Sequence, residues 1–264
     1  MFAAARATMI RMRRAPWPRA EVSVPAGDAL VFLADAHLAE GGDRACADFS
    51  EFARSQAGNT LVLLGDLFHL FPGPQIARRP EWRGLLACLR DCARRGRVYF
   101  LPGNRDFHAG RVLAAAAGVL LPGESVRFRS GGRCVYACHG DQLCQDDVWY
   151  QRMKALIRNP LPVGLWMQLP AACRDGITRL LRAWTLRSLR VKPARQLLPS
   201  PDVVRRLCAR GADIIVSGHR HAEGRTACDA GGRACVHYEL PAWCDERTFV
   251  RVRGGAAEFV RLEP

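Results

Sequence analysis

Residues 31–37 read VFLADAH, an apolar run that ends in Asp35 and His37. Four further runs are built the same way. LVLLGD (61–66) ends in Asp66, VYFLPGN (98–104) in Asn104, YACHGD (136–141) passes through His139, and IIVSGHRH (214–221) ends in His219 and His221. A short, continuous apolar run bounded by Gly, Pro or charged residues reads as a buried strand. Seven nitrogen and oxygen donors therefore sit where strands end, the edge at which open α/β sheets gather their ligands.

Working outward, strand-like runs lie near 29–35, 60–66, 98–104, 134–139 and 213–217, with helix-like runs near 44–56, 80–95 and 109–117. This alternation predicts an α/β fold. RACVHYEL, RTFVRVRG and AEFVRLE, between 234 and 262, add strands at the end. A chain of 264 residues that is 49% hydrophobic fits one domain with an insertion. Residues 1–27 are Arg-rich, with no acidic residue before Glu21, and read as a poorly ordered basic extension to a domain spanning 28–264. Residues 146–210 break the rhythm: they are helix-rich and basic and carry Trp149, Trp166 and Trp184. They read as a helical lid inserted beside the site.

Lys and Arg number 39 against 25 Asp and Glu, a net charge of +14. Such a field attracts nucleic acid, anionic lipid or phosphorylated substrates. Eleven cysteines at irregular spacing in a chain this long exclude a disulfide scaffold, and the lack of any CxxC pair argues against a zinc ribbon. A reducing cytoplasm fits best. No run reaches the ~18 apolar residues of a membrane span, and the N-terminus lacks the apolar core of a secretory signal.

The donors themselves narrow the chemistry. A mixed Asp, His and Asn set suits Mn, Fe, Zn or Co better than Mg or Ca. Two such ions side by side clamp phosphate oxygens and activate water. Asp106 and Asp141 read as groups that orient the loops. His69 and His108 lie near the donor segments, and His237 reads as a packed or surface residue.

The ordered series DxH, GD, GNRD, HGD, GHxH resembles the calcineurin-like metallophosphoesterases over most of residues 29–225. The resemblance implies a sandwich of mixed β-sheets flanked by helices. It implies that Asp35, His37 and His221 bind one metal, that Asn104, His139 and His219 bind the other, and that Asp66 bridges them. Many members carry GNH where this chain has Gly103-Asn104-Arg105-Asp106. Arginine is a poor general acid but a good phosphate ligand, so Arg105 suits cleavage of a pyrophosphate, whose leaving group needs little protonation.

HGDQLCQDDVWYQ (139–151), the placement of the insertion and ELPAWCDERTFVRV (239–252) are similar to one branch, which hydrolyses UDP-2,3-diacylglucosamine to UMP and 2,3-diacylglucosamine 1-phosphate in lipid A synthesis. That likeness implies Mn2+ and a peripheral place on the cytoplasmic face of the inner membrane. It implies substrate contacts from Asn104, Arg105, Asp147, Thr185, Lys192 and His219, with Asp66, Arg105 and His219 as the catalytic groups. His69, Leu189 and Arg220 depart from the branch pattern. Trp149, Leu165, Trp166, Met167, Leu169 and Trp184 offer surface for acyl chains, and Arg152, Lys154, Arg158, Arg179, Arg182, Arg187 and Arg190 offer charge for anionic headgroups. The branch reading expects no nucleic-acid partner, because the tryptophans cluster with Leu and Met rather than forming a basic stacking surface. The alternatives are another phosphoesterase of this fold, acting on a different nucleotide, phosphoester or nucleic acid, and a scaffold without activity.

Overall fold

The structure is a computed structural model that describes residues 17–18, 21–71, 73–177, 180 and 198–262. In chain order its strands are β1 (Glu21–Ser23), β2 (Ala29–Leu33), β3 (Thr60–Leu63), β4 (Arg97–Phe100), β5 (Ser125–Ser130) and β6 (Arg133–Cys138), then β7 (Ile214–Ser217), β8 (Gly224–Asp229), β9 (Ala234–Glu239), β10 (Thr248–Arg253) and β11 (Ala256–Arg261). The helices are α1 (Arg44–Ser55), α2 (Arg83–Arg95), α3 (Ala109–Ala117), α4 (Val148–Ile157), α5 (Pro160–Gln168), α6 (Pro201–Ala209) and the short α7 (Trp243–Glu246).

β2 shows why the apolar runs are unbroken. Ala29, Val31 and Leu33 face the helices, while Leu30, Phe32 and Ala34 face a second sheet, and all are buried. A strand covered on both faces has no polar face to show. β3 and β4 repeat the pattern, with Leu61, Leu63, Val98 and Phe100 on the helix side and Val62, Leu64, Tyr99 and Leu101 between the sheets.

The five-stranded sheet runs β11-β10-β2-β3-β4 and the six-stranded sheet β1-β5-β6-β7-β9-β8. β2, β3 and β4 are parallel neighbours, as are β6, β7 and β9. Helices α1 to α3 cover the outer face of the first sheet. The result is an α/β/β/α sandwich of mixed sheets. All five donor segments follow strands whose C-terminal ends lie at one edge, which is the constraint that builds the site.

Two expectations from sequence change. Within residues 1–27, Glu21–Ser23 form β1, parallel to β5. Glu21 binds Arg129 through both carboxylate oxygens, at 3.1 and 3.0 Å, and pairs with Arg127, a cross-strand attraction not evident from a basic composition. The expected insertion 146–210 also ends too late. Val203, Val204, Leu207 and Cys208 of α6 pack on Tyr136 and Ile215 of the six-stranded sheet, so α6 belongs to the sandwich. The remainder, α4, α5 and a helical turn at 171–177, stands over the site edge. Among the described residues no helix is long and apolar enough to cross a membrane.

Phe32 is fully buried between the sheets, edge-on to Phe128 with ring centroids 5.9 Å apart. Phe32→Ala is expected to lower unfolding free energy by about 3–5 kcal/mol, read from urea denaturation followed by far-ultraviolet circular dichroism.

Candidate metal centre

Among the described non-glycine residues, positive φ occurs at Asp35, His37, Asp66, His219, His221 and Arg247. The first five are all donors read from the sequence. A left-handed conformation at such residues costs roughly 1–3 kcal/mol each and persists only where the surroundings enforce it. Here the loops continue the sheet pairing beyond the strands. Asp35 N–H donates to Gly65 O at 3.1 Å, His37 N–H to Asp66 O at 3.0 Å, and Gly218 N–H to His139 O at 2.8 Å. Two glycines permit the closest approaches: a Cβ on Gly103 would lie 2.1 Å from Asp66 Oδ1, and one on Gly218 would lie 2.5 Å from Asp35 Oδ2.

The donors form two adjoining groups. In the first, Asp35 Oδ1 is buried and meets no donor in hydrogen-bond geometry, lying 3.3 Å from His221 Nε2 and 3.7 Å from His37 Nε2. Those two imidazole nitrogens face each other at 3.0 Å. In the second, Asn104 Oδ1 lies 3.1 Å from His139 Nε2 and 3.0 Å from His219 Nδ1. Asp66 stands between them, within 4.8 Å of ligand atoms of both Asp35 and His139. His139 Nδ1 is fixed by Leu64 O at 2.6 Å, so its Nε2 is aimed inward, the usual way a ligand histidine is oriented.

Protonation follows from this crowding. Burial pushes the Asp35 pKa up, but His221 beside it and the charges of His139 and His37 outweigh that and hold it at about 2. Burial raises Asp66 to about 7, against the pull of His139 and with repulsion from Asp106 and Asp35 adding to it. Burial, then the Arg105 charge, lowers His37 to about 3, and burial, then His139, lowers His219 to about 4. Both rings thus carry free lone pairs at neutral pH. Burial would lower His139, yet Asp66, Asp35 and Asp141 together raise it. An orphaned carboxylate oxygen, inward-facing imidazoles and an amide oxygen are a donor set that fits divalent cations.

Two carboxylates shape the site from behind. Asp106 Oδ1 accepts the N–H groups of Asp66 and Gly103 at 3.1 and 3.0 Å, and Oδ2 accepts those of Leu67 and Phe68 at 2.7 and 3.4 Å. It ties the GD loop to the GN loop. Buried Asp141 accepts from Tyr150 Oη at 2.6 Å and pairs with Lys154 Nζ at 2.8 Å. Burial acts to raise Asp141, but Lys154, His139 and Arg158 hold it well below the usual carboxylate range. The network fastens α4 to the site.

The remaining sequence candidates fall into place as follows. Arg105 Nε lies 3.3 Å from Asp66 Oδ2 and the Arg105 backbone N–H donates to Asp66 Oδ1 at 2.9 Å, so the guanidinium sits at the rim of the donors. Asp147 is buried and its Oδ1 caps α4 through the Tyr150 N–H at 3.0 Å; this capping was not foreseen, although a D-x-x before a helical run signals it. Lys154 and Arg158, expected to face headgroups, turn inward. Lys154 pairs with Asp141, and Arg158 Nη2 donates to Gly103 O at 2.7 Å while Nη1 meets Glu124 at 2.8 Å. Buried acids draw them in, a pull that charge counting does not see. Arg220, between His219 and His221, pairs with Glu239 at 2.8 Å and so points away from the donors. His69 lies beside His37, rings 6.0 Å apart. His108 lies against Phe107 with ring centroids 3.8 Å apart and the planes tilted by 46°, and His237 is buried against Ser217 Oγ at 2.9 Å. Arg179, Arg182, Trp184, Thr185, Arg187, Leu189, Arg190 and Lys192 lie outside the described residues.

A sandwich of this order with these donors at one edge defines a class of phosphoester hydrolases, and residues 29–223 match the calcineurin-like phosphoesterase family, to which the chain belongs. Its relatives point further. The chain is 32% identical over 197 residues to a UDP-2,3-diacylglucosamine hydrolase of Pseudomonas entomophila (strain L48), covering 73% of this chain and 81% of that protein. Proteins of the same name from Ectopseudomonas mendocina (strain ymp) and Stenotrophomonas maltophilia (strain K279a) are 28% identical over 229 residues and 30% over 237, each covering 85% of this chain and 94% and 95% of their own.

Removing the rear support is expected to loosen the donors without unfolding the chain. Asp106→Asn retains the shape but weakens acceptance of four N–H groups, and it should reduce metal affinity or turnover by about 10–100-fold. Metal content by mass spectrometry and circular dichroism of the purified variant check this.

Proposed function

We propose that this chain hydrolyses the pyrophosphate of UDP-2,3-diacylglucosamine to UMP and 2,3-diacylglucosamine 1-phosphate, with two divalent ions, Mn2+ foremost, in the donor site. The observation that carries this reading is the full set of seven donors at one sheet edge with Arg105 at its rim. Ions held there would supply charge to offset the phosphoryl oxygens and would lower the pKa of water toward neutral pH. Asp35, His37 and His221 would hold one ion and Asn104, His139 and His219 the other, with Asp66 placed between the two groups. Arg105 turns its guanidinium from Asp66 toward the phosphates and stabilises the charge that develops there. His219 and Asn104 adjoin the same phosphates. Asp147 acts by holding the first turn of α4. Thr185 and Lys192 remain proposed contacts to the sugar or nucleotide.

A lipid substrate also needs apolar room. A groove of about 1030 Å³ opens beside the site, with Phe100, Pro102, Phe107, Val112, Leu121 and Val163 among its walls. Pro102 and Phe107 flank the GNRD segment, so chains lying in the groove leave the diphosphate near the donors. Burial, then the Arg158 charge, lowers His108 on this wall to about 4, so its imidazole is neutral at neutral pH, while Arg111, Arg158 and Glu124 bring charge to the same groove. Trp149, Leu156, Leu161 and Leu165 of α4 and α5 are largely exposed, at 65–78%. With the net charge of +14, this surface suits peripheral attachment to the anionic, cytoplasmic face of the inner membrane.

Purified protein is expected to release UMP and the acylated sugar 1-phosphate only when Mn2+ is present, with products identified by mass. Two bound metals and no turnover would instead assign the site to another phosphoester, nucleic acid among the candidates given the charge. Arg105→Ala is expected to lower kcat by about 10²–10³-fold while bound metal stays constant. Turnover equal to the parent would remove the role given to Arg105. Asp66→Asn should abolish activity together with occupancy of the pair.

A further inference from the structure

Away from the donor edge, three thiols meet. Cys208 lies near the end of α6, Cys228 on β8 and Cys235 on β9. Cys228 and Cys235 are opposed partners in the antiparallel hairpin, and α6 brings Cys208 across the outer face of the sheet onto them. The three Sγ atoms all lie within 4.8 Å of one another. Cys208 and Cys235 are buried and Cys228 is half-exposed, so the cluster has one open side. Glu239, which holds Arg220 at the donor edge, lies four residue steps along β9 from Cys235. That is about 13 Å at the rise of a strand, so this cluster is distinct from the phosphoesterase site.

We propose that Cys208, Cys228 and Cys235 form a thiol-only site for one soft metal ion of the Zn2+ or Cu+ class. Metal–sulfur bonds of about 2.3 Å in tetrahedral geometry place sulfurs about 3.8 Å apart, so the cluster closes by about 1 Å or less. Among the described residues the side-chain ligand atoms that meet here are sulfurs, which selects soft ions over Mg2+, Ca2+ or Mn2+. Solvent reaches the fourth position past Cys228. For a divalent ion, three S–H bonds break and three metal–sulfur bonds form, giving a complex of charge −1 and releasing three protons, with no change in oxidation state. Arg205 attracts negative charge at Cys228, although Asp229 opposes it. The Arg233 carbonyl accepts from Cys208 Sγ at 2.9 Å, while its guanidinium is paired with Asp213.

Burial pushes the Cys235 thiol well up, and its bonds and charge coupling to Cys208 and Cys228 add to that. The protonated cluster is therefore stable by itself, and the metal must displace the protons, so affinity rises with pH.

Cadmium is the probe, because sulfur-to-cadmium charge transfer absorbs in the ultraviolet and the Asp, His and Asn donors cannot produce it. In reduced full-length protein with Cys173→Ser and Cys244→Ser removing the exposed thiols, one equivalent of Cd2+ should generate the band, and Zn2+ should displace it. Cys228→Ser, at a half-exposed position, should lose the band and keep phosphoesterase activity. His139→Ala should keep the band and lose activity, so failure of this site and failure of the hydrolase reading are separable. Absence of the band, or its survival at full intensity in both Cys228→Ser and Cys208→Ser, would overturn the proposal. So would a Cys228–Cys235 disulfide forming in air with no uptake of metal before it.

Discussion

Two buried carboxylates, Asp35 and Asp66, face each other's charge across the edge of the sandwich, and the rest of the molecule is arranged around that fact. Placing such groups out of water is costly unless each is bonded or paired. Asp35 meets the demand with Oδ2 on the His219 N–H at 2.8 Å, leaving Oδ1 toward two imidazoles. Asp66 meets Arg105 at both of its oxygens, yet burial and its acidic neighbours still raise it to about 7. A cation held among these groups would offset the repulsion for both. Left-handed backbone at five donors adds to the cost, so the layers behind the edge must over-determine the loops. The apolar packing of β2, β3 and β4 on both faces supplies that rigidity.

The same logic extends behind the donors. Asp106 gives up its lone pairs to four backbone N–H groups, so two loops from different strands move as one. Asp141 performs the matching task for α4 through Tyr150 and Lys154. The helical segment over the site is therefore anchored by charge at its base and left apolar on its exposed side. A large part of the basic composition is structural: Arg127 and Arg129 hold Glu21, Arg220 holds Glu239, and Arg251 holds Glu258. Each such pair removes one charge of either sign, so it lowers the number of free basic groups while the net charge of +14 stays the same.

The strands and the seven donors were legible in the sequence because apolar runs and ligand chemistry are local properties. Residues 29–35 had to be covered on both faces, and whatever followed had to lie at an edge. The layered arrangement followed from alternation with helices. Less legible were α6, which shares the basic, helical character of the inserted segment yet packs on the sheet, and β1, a short strand held by two arginines. Asp147 read as a possible contact, while its capping bond depended on where α4 begins.

The sequence by itself determined which side chains offer ligand atoms at strand ends. Only the tertiary structure decided which of them face one another. Asp35 and His219 are 184 residues apart and Asp66 and Asp106 are 40 apart, and their meeting depends on which strands lie side by side and parallel. The tertiary structure also turned Lys154 and Arg158 inward and gathered Cys208, Cys228 and Cys235 from a helix and two strands. No local pattern encodes such meetings, because they arise from burial and pairing across elements that the chain order keeps apart.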